Sequence, residues 1–284
     1  MKKQILITLL LCFSLTAISQ HKKAYTILNS KGKKTSYKKM VKAAAKADIV
    51  FFGELHNNAI AHWLQIELTK DLGRQRELTL GAEMFEADNQ DELNKYLSGD
   101  FDKKQLKKEA RLWKNYKTDY APLVDYAKDK KLVFVATNIP RRYASMVHKK
   151  DFQALDNLSA EEKSWIAPLP IAFDINLPGY QNILKMMGNH ASPKLVKAQA
   201  IKDATMAYFI LQNYVPGKLF IHYNGAYHSN DYEGILWYIE QERTDLNMVT
   251  ISTVEQKDLK KLEENHLGKA DFIIVVDKDM TKTY

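Results

Sequence analysis

The chain has 284 residues, of which 45% are hydrophobic and 27% charged, and its formal net charge is +8. That length buries a full core in one large domain, and the composition is that of a globular protein rather than a disordered or fibrous one. The lysine excess, concentrated over 22–46 and 103–117, is not interleaved with aromatic residues as in a nucleic-acid module, so no nucleic-acid partner is expected and a solvated basic face with some attraction for anions is the reading.

Met1-Lys2-Lys3 followed by an apolar run over 5–15 and then Ala17-Ile18-Ser19 has the order of a secretory signal: positive start, apolar core, small residues at the cleavage point. The expected division is a signal segment over 1–19 and one α/β domain over 20–284. The expected location is exported, either periplasmic or associated with the cell surface. The sole cysteine, Cys12, follows Leu9-Leu10-Leu11 rather than a small residue, so it is read as part of the signal. Membrane association is expected only if Cys12 carries a lipid, and disulfides are excluded from the mature chain.

Beyond the signal, a helix over 33–47 feeds a first strand at 49–52. Residues 56–72 place Ile60, Trp63, Leu64, Leu68 and Leu72 at helical spacing, and Gly73 is a stop signal. A second strand follows at 78–81, then a helix over 88–97 with Asp88 as its cap, and helices over 103–114 and 121–130. The third strand covers 132–136, and Pro140 suits the first turn of a helix over 141–149. A long strandless stretch, about 151–192, holds Pro168, Pro170, Pro178, Phe173, Tyr180, Met186 and Met187. It is expected as a small helical insertion subdomain packed over the strand ends. Strands at 219–223, 248–252 and 272–276 complete an α/β fold, a mostly parallel β-sheet flanked by helices on both faces.

Three of these strands run into acid or imidazole side chains: Gly53-Glu54-Leu55-His56, Ala82-Glu83-Met84-Phe85-Glu86, and Asn224-Gly225-Ala226-Tyr227-His228. In a parallel sheet the carboxyl ends of the strands form the ligand-binding crevice. Glu54, His56, Glu83 and His228 are therefore expected at one edge, either as ligands of a divalent metal or as a metal-free acid/base set. The plainer alternative is that each caps its own helix. Arg141 or Arg142, after Asn138, is placed to meet an anionic group or developing oxyanion. His62 lies six residues after His56, which is not the i, i+4 pair of a zincin, and either faces the site or bonds its neighbours. His190 lies in the insertion, while His148, His222 and His266 are read as ordinary surface or core histidines.

Gly53-Glu54-Leu55-His56 with His62 and Gln65, then Gly81-Ala82-Glu83-Met84-Phe85, resemble the opening of the ChaN-like haem-binding uptake family. Trp113, Tyr120-Ala121-Pro122-Leu123 and Ala136-Thr137-Asn138-Ile139-Pro140-Arg141 resemble its middle. Asp203-Ala204-Thr205-Met206-Ala207 and Gly225-Ala226-Tyr227-His228 resemble its end. The resemblance spans about 49–234. It implies an exported protein, often a lipoprotein, that serves haem or iron uptake, with a small helical subdomain on an α/β core. It further implies haem held between two protomers, hence a homodimer when haem-bound, with a tyrosine on the iron. Tyr227, beside His228, is the first candidate for that tyrosine, and Tyr143 and Tyr180 follow. His228, Asn138, Arg141 and His62 are expected around the cofactor. The wider superfamily includes erythromycin esterases and Tiki-type metalloproteases, which keeps a hydrolase acting on esters or peptides as the alternative. Whether the chain is an enzyme stays open at this point.

Overall fold

The computed structural model describes residues 22–284, so the signal segment and Cys12 lie outside the described residues. Its centre is a sheet of β1 (Tyr25–Asn29), β2 (Ile49–Glu54), β3 (Leu78–Glu86), β4 (Val133–Asn138), β5 (Leu219–Gly225), β6 (Met248–Gln256) and β7 (Phe272–Asp277). The spatial order is β1-β7-β6-β2-β5-β3-β4. Every pairing is parallel except that of β1 with β7. The sheet is thus mostly parallel with one antiparallel edge, as the alternation of strand and helix signals requires. The central strands β2 and β5 are buried at every position, which is why they read as near-continuous apolar runs rather than alternating ones.

Alternation along each strand decides which layer a side chain joins. Val50 and Phe52 of β2, Leu80 and Ala82 of β3, and Ile221 and Tyr223 of β5 point to one face. There they meet α1 (Tyr37–Ala44), α2 (Ala59–Gly73), α3 (Gln90–Ser98), α4 (Lys103–Glu109) and α5 (Ala121–Lys130). Ile49 and Phe51 of β2 and Phe220 of β5 point to the other face. α6 (Arg141–Lys150), α7 (Ala160–Lys163), α8 (Pro178–Met187), α9 (Pro193–Asn213) and α10 (Ile235–Glu242) follow in the chain. α9 and α10 cover that second face through Met206, Ile210 and Ile239. Leu64, Leu68 and Leu72 of α2 are buried on the first face, at one turn per step, each contributing about 1.5–3 kcal/mol of apolar burial.

Several boundaries differ from the sequence expectations for local reasons. β3 runs on to Glu86, so Glu83 lies within the strand and not after it. Asp88 is not a helix cap: it pairs with Arg111 and Arg142, and Asn89 takes the cap position of α3 without a side-chain bond. The helix expected over 33–47 is confined to Tyr37–Ala44, with the Ser36 side chain accepting from the Lys39 amide. β1 and α10 have no counterpart in the sequence reading. Over 151–192, α7, α8 and short 3-10 turns carry Tyr180 into a cluster with Val196 and Ala200 of α9. Among the described residues no helix is long and apolar enough to cross a membrane.

Candidate functional site

β2, β5 and β3 are neighbours in the sheet, with Glu54 level with Gly225 and Ala82 level with Tyr223. The three strand ends named from the sequence therefore lie side by side. Glu54 continues the Val50–Phe52 face and is 1% exposed. Its Oε1 accepts from His56 Nδ1 at 2.8 Å and from the Tyr120 hydroxyl at 2.7 Å. Its Oε2 accepts from Gln65 Nε2 at 2.7 Å and lies 3.2 Å from His62 Nδ1. Asn58 starts α2 by capping the amides of Ile60 and Ala61, and this sets His62 and Gln65 on the turns that face Glu54. Burial alone would raise the Glu54 carboxyl, but His56 and His62 outweigh it and hold it at about 2. The same contacts raise His56 and His62 against the burial that would lower them.

Glu83 follows the opposite alternation and enters the second face. Its Oε2 accepts the Gly225 amide at 2.6 Å, and its Oε1 lies 3.2 Å from His228 Nε2. His228 Nδ1 is 2.5 Å from Asp203 Oδ1 on α9, and the Tyr180 hydroxyl donates to Asp203 Oδ2 at 3.1 Å. Burial would lower the His228 imidazole, yet the two carboxylates overcome it and push it up to about 10. Glu83 is held well below the usual carboxylate range, with the His228 charge outweighing burial. Asp203 is pushed up by burial, and the imidazolium and the Tyr180 hydroxyl act against that rise.

The two halves meet at Gly225. A Cβ there would fall 2.8 Å from His56 Cε1 and 3.4 Å from Glu83 Oε2, so only glycine lets the imidazole approach the strand. His56 also lies edge-on to Trp113, with ring centroids 4.8 Å apart. Glu54, His56, Glu83 and His228 are thus brought together as two groups of ion pairs that meet at Gly225, not as a metal cage. Every carboxylate oxygen of Glu54 and Glu83 already has a protein donor. Among the described residues no group of three or more His, Cys, Asp or Glu side chains is arranged to hold a metal ion. The divalent-metal expectation has no support in this arrangement, in which imidazole, amide and hydroxyl groups already meet the carboxylate oxygens. What the Glu54 group offers chemically is proton exchange through His56, 36% of whose side chain is exposed while Glu54 beside it is sealed.

Other expected residues are placed less uniformly. Asn138 donates to the Glu83 carbonyl at 2.9 Å, leaving its buried Oδ1 without a protein partner. Arg141 is exposed at the start of α6, and Arg142 is taken by Asp88 and the Tyr143 hydroxyl. Tyr143 and Tyr180 are only 1% and 3% exposed, their hydroxyls donating to Glu162 and Asp203. As iron ligands these two expectations are corrected: both phenols are sealed and committed. Tyr227 is 56% exposed. It stands on the short turn Ala226–His228 and reaches Met186 Sδ of α8 at 3.4 Å. Tyr227, Ile183, Met186, Lys185 and Lys269 line an open cavity of about 650 Å³. His190 and His148 are exposed, and His222 is fully buried between Thr137 and Asn224.

Asp203, Tyr120 and Asp119, whose Oδ2 lies 3.5 Å from His62 Nε2, were not picked out as site residues from the sequence. Asp203 carried one signal: it is an acid within the apolar face Ala198–Ile210 of a long helix, where a charge needs a buried partner. Tyr120 opened one of the segments that carry the family resemblance without being given a role, and Asp119 carried no signal, because the turn of π-helix that aims both, Tyr116–Tyr120, has no sequence signature.

A family model described as haem-binding uptake, Tiki superfamily, ChaN matches residues 40–239. The fold is similar to that of a solved structure of cofacial heme binding to ChaN of Campylobacter jejuni, with TM-score 0.67 and 18% identity, covering 90% of this chain and 98% of that one. A succinoglycan biosynthesis protein has a similar fold at TM-score 0.53 and 12% identity, covering 89% of this chain and 94% of that one. At these identities both likenesses speak to fold alone. Among curated proteins, Protein RETICULATA-RELATED 5, chloroplastic, of Arabidopsis thaliana is 23% identical over 207 residues, 66% of this chain. The aligned part is 27% of that protein, so the chain spans about a quarter of the relative's length.

Proposed function

The chain belongs to the ChaN family of haem-binding uptake proteins in the Tiki superfamily, and from that premise we propose that it is an exported haem-binding protein of haem or iron uptake, with Tyr227 on the iron. The observation that carries this reading is the contrast among the candidate tyrosines: Tyr227 is 56% exposed, while Tyr143 and Tyr180 are sealed. A phenolate is a hard oxygen ligand suited to ferric iron. The surroundings suit a flat, apolar, doubly acidic ligand. Met186 is 63% exposed and Met187 40%, and methionine adapts its shape to a broad apolar surface. Lys185 and Lys269 line the same cavity and can answer carboxylates. Because this apolar face is open, we propose that a second copy covers the other side of the ligand, giving a homodimer when haem is bound. Export rests on the signal-like residues 1–19, and attachment to the membrane would require a lipid on Cys12.

Hemin titration of the purified mature chain, followed by its absorption spectrum, tests the reading. Tyr227→Phe should weaken binding at least tenfold and alter the spectrum, and His228→Ala should perturb it through the same turn. Binding no tighter than to an unrelated basic protein would refute it.

One observation supports a second reading, a metal-free acid/base hydrolase. His56 is the exposed partner of the sealed Glu54 carboxylate, and its imidazole holds its proton more tightly than usual. It is therefore suited to protonate a leaving group. Ester hydrolysis that disappears in His56→Ala while hemin binding persists would establish this reading; no hydrolysis by the parent protein would dismiss it.

A further inference from the structure

The candidate haem surface has two walls from distant parts of the chain. One is the turn Ala226–His228, which presents Tyr227. The other is α8, which presents Ile183, Lys185 and Met186. Both walls are short and lie outside the sheet. α8 has a single buried residue, Tyr180, so little apolar packing fixes its height or tilt. Its amino end is held by the Gly179 amide, which donates to Glu233 Oε2 at 2.5 Å. Its first turn is held by Tyr180, which stacks on Phe173 and reaches α9 through its hydroxyl. The turn is held by His228, whose ring is gripped by Glu83 on one side and α9 on the other. On α9 both tethers reach Asp203, and the His228 ring also meets Gln199 Nε2 at 2.9 Å.

We propose that Asp203 is the positioning residue of this surface: one carboxylate oxygen holds the Tyr227 turn through His228, and the other holds α8 through Tyr180. The inference rests on the haem reading given above and adds to it the element that sets the spacing between phenol and methionine wall. Asp203 is 1% exposed and does not touch the cavity, so it acts only through these two contacts. The geometry favours a carboxylate here over an amide. Oδ1 accepts from a charged imidazole and Oδ2 from a phenol, whereas an asparagine offers one acceptor and turns an N–H donor toward the other partner. A glutamate on the same helix would carry both oxygens farther from the backbone and shift both walls. The arrangement also accounts for an acid at this place on the apolar side of α9.

The test compares Asp203→Asn, Tyr180→Phe and Tyr227→Phe with the parent protein. Hydrogen–deuterium exchange on the ligand-free chain should show Asp203→Asn speeding exchange in both 178–187 and 226–232. Tyr180→Phe, which keeps the His228 contact and serves if Asp203→Asn fails to fold, should loosen 178–187 alone. Hemin affinity should fall by about tenfold in Tyr180→Phe, the loss expected when one binding wall must be ordered on binding, with the bound spectrum unchanged because the phenol ligand remains. Parent-like exchange of 178–187 and parent-like hemin affinity in Tyr180→Phe would overturn the role of Asp203; loss of hemin in Tyr227→Phe beside that result would leave the haem reading standing. Parent-like hemin binding in Tyr227→Phe would remove the haem reading at this surface and the inference with it.

Discussion

Glu83→Gln removes one of the two carboxylates that hold the His228 imidazolium. His228 is buried, and its folded-state value is raised to about 10 from an ordinary 6.5. Its contribution to stability is therefore fully present below about 6.5 and is lost as pH rises toward 10. Across that window one bound proton distinguishes the folded from the unfolded chain, so stability falls by up to about 1.4 kcal/mol per pH unit. His56 and His62 are also raised and act with the same sign. Glutamine keeps the shape of Glu83 but leaves the imidazolium with Asp203 alone. Breaking a buried pair by removing one partner costs about 3–5 kcal/mol, and because Asp203 remains, about 3 kcal/mol is expected near pH 6.5. The variant's His228 releases its proton at lower pH, so its stability stops falling sooner and the two proteins converge as the pH approaches 10. Urea unfolding followed by tryptophan fluorescence at pH 6, 7, 8 and 9 measures both effects. Parallel profiles separated by less than about 0.5 kcal/mol, the range of an ordinary surface change, would refute the coupling of Glu83 to His228.

Glu54 gives the acid counterpart. Its folded value of about 2 against an ordinary 4.5 means a contribution present above about 4.5 and lost as pH falls toward 2, so Glu54→Gln should flatten the acid limb of stability, read by acid unfolding followed by circular dichroism. Gly225→Ala places a methyl group 2.8 Å from His56 Cε1; overpacking of this kind costs about 1–3 kcal/mol, measurable by urea unfolding, and it should displace the His56 ring in its NMR spectrum. Tyr227→Phe, on an exposed phenol, should leave urea stability within about 0.5 kcal/mol while weakening hemin, which separates a ligand from a structural residue.

The strand ends were legible because β2 and β5 are buried on both faces and so read as short apolar runs that stop abruptly at polar residues. The sequence did not show that the two glutamates enter opposite layers. That depends on β3 continuing through Glu83 to Glu86, past a break in its pairing with β4 between Ala82 and Glu86. With the strand ended at Gly81, Glu83 has no assigned side. β1 was hidden because Tyr25–Asn29 is a five-residue strand in a lysine-rich stretch, and α10 because Ile235-Leu236-Trp237-Tyr238-Ile239 has no polar spacing to fix a period. Tyr143 and Tyr180 looked equal to Tyr227 in one dimension. Their acceptors, Glu162 and Asp203, are 19 and 23 residues away, and only the packing of α6 near α7 and of α8 near α9 brings them into reach.

The metal expectation lacks support for a reason that also explains the cluster. Four oxygen and nitrogen side chains at adjacent strand ends look like a ligand set as long as their mutual contacts are unknown. Here each glutamate is turned into its own layer and meets its own imidazole, Glu54 with His56 and His62 on the α2 side, Glu83 with His228 on the α9 side. Buried ion pairs are an inefficient source of stability, since apolar residues of similar volume commonly do as well. What they supply is directional restraint: a charged ring held at both nitrogens, as His228 is by Glu83 and Asp203, cannot rotate without breaking one pair. The residue next to it, Tyr227, is the exposed one. A rigid turn under an open phenol matters to a ligand-binding surface, whereas for folding alone apolar residues at 83, 203 and 228 together would serve. The same restraint acts on His56, whose Nδ1 is fixed by Glu54 so that its other nitrogen faces the Gly225 strand end. The two charged groups thus set one side chain each, and hemin and ester assays on His56→Ala and Tyr227→Phe separate their roles.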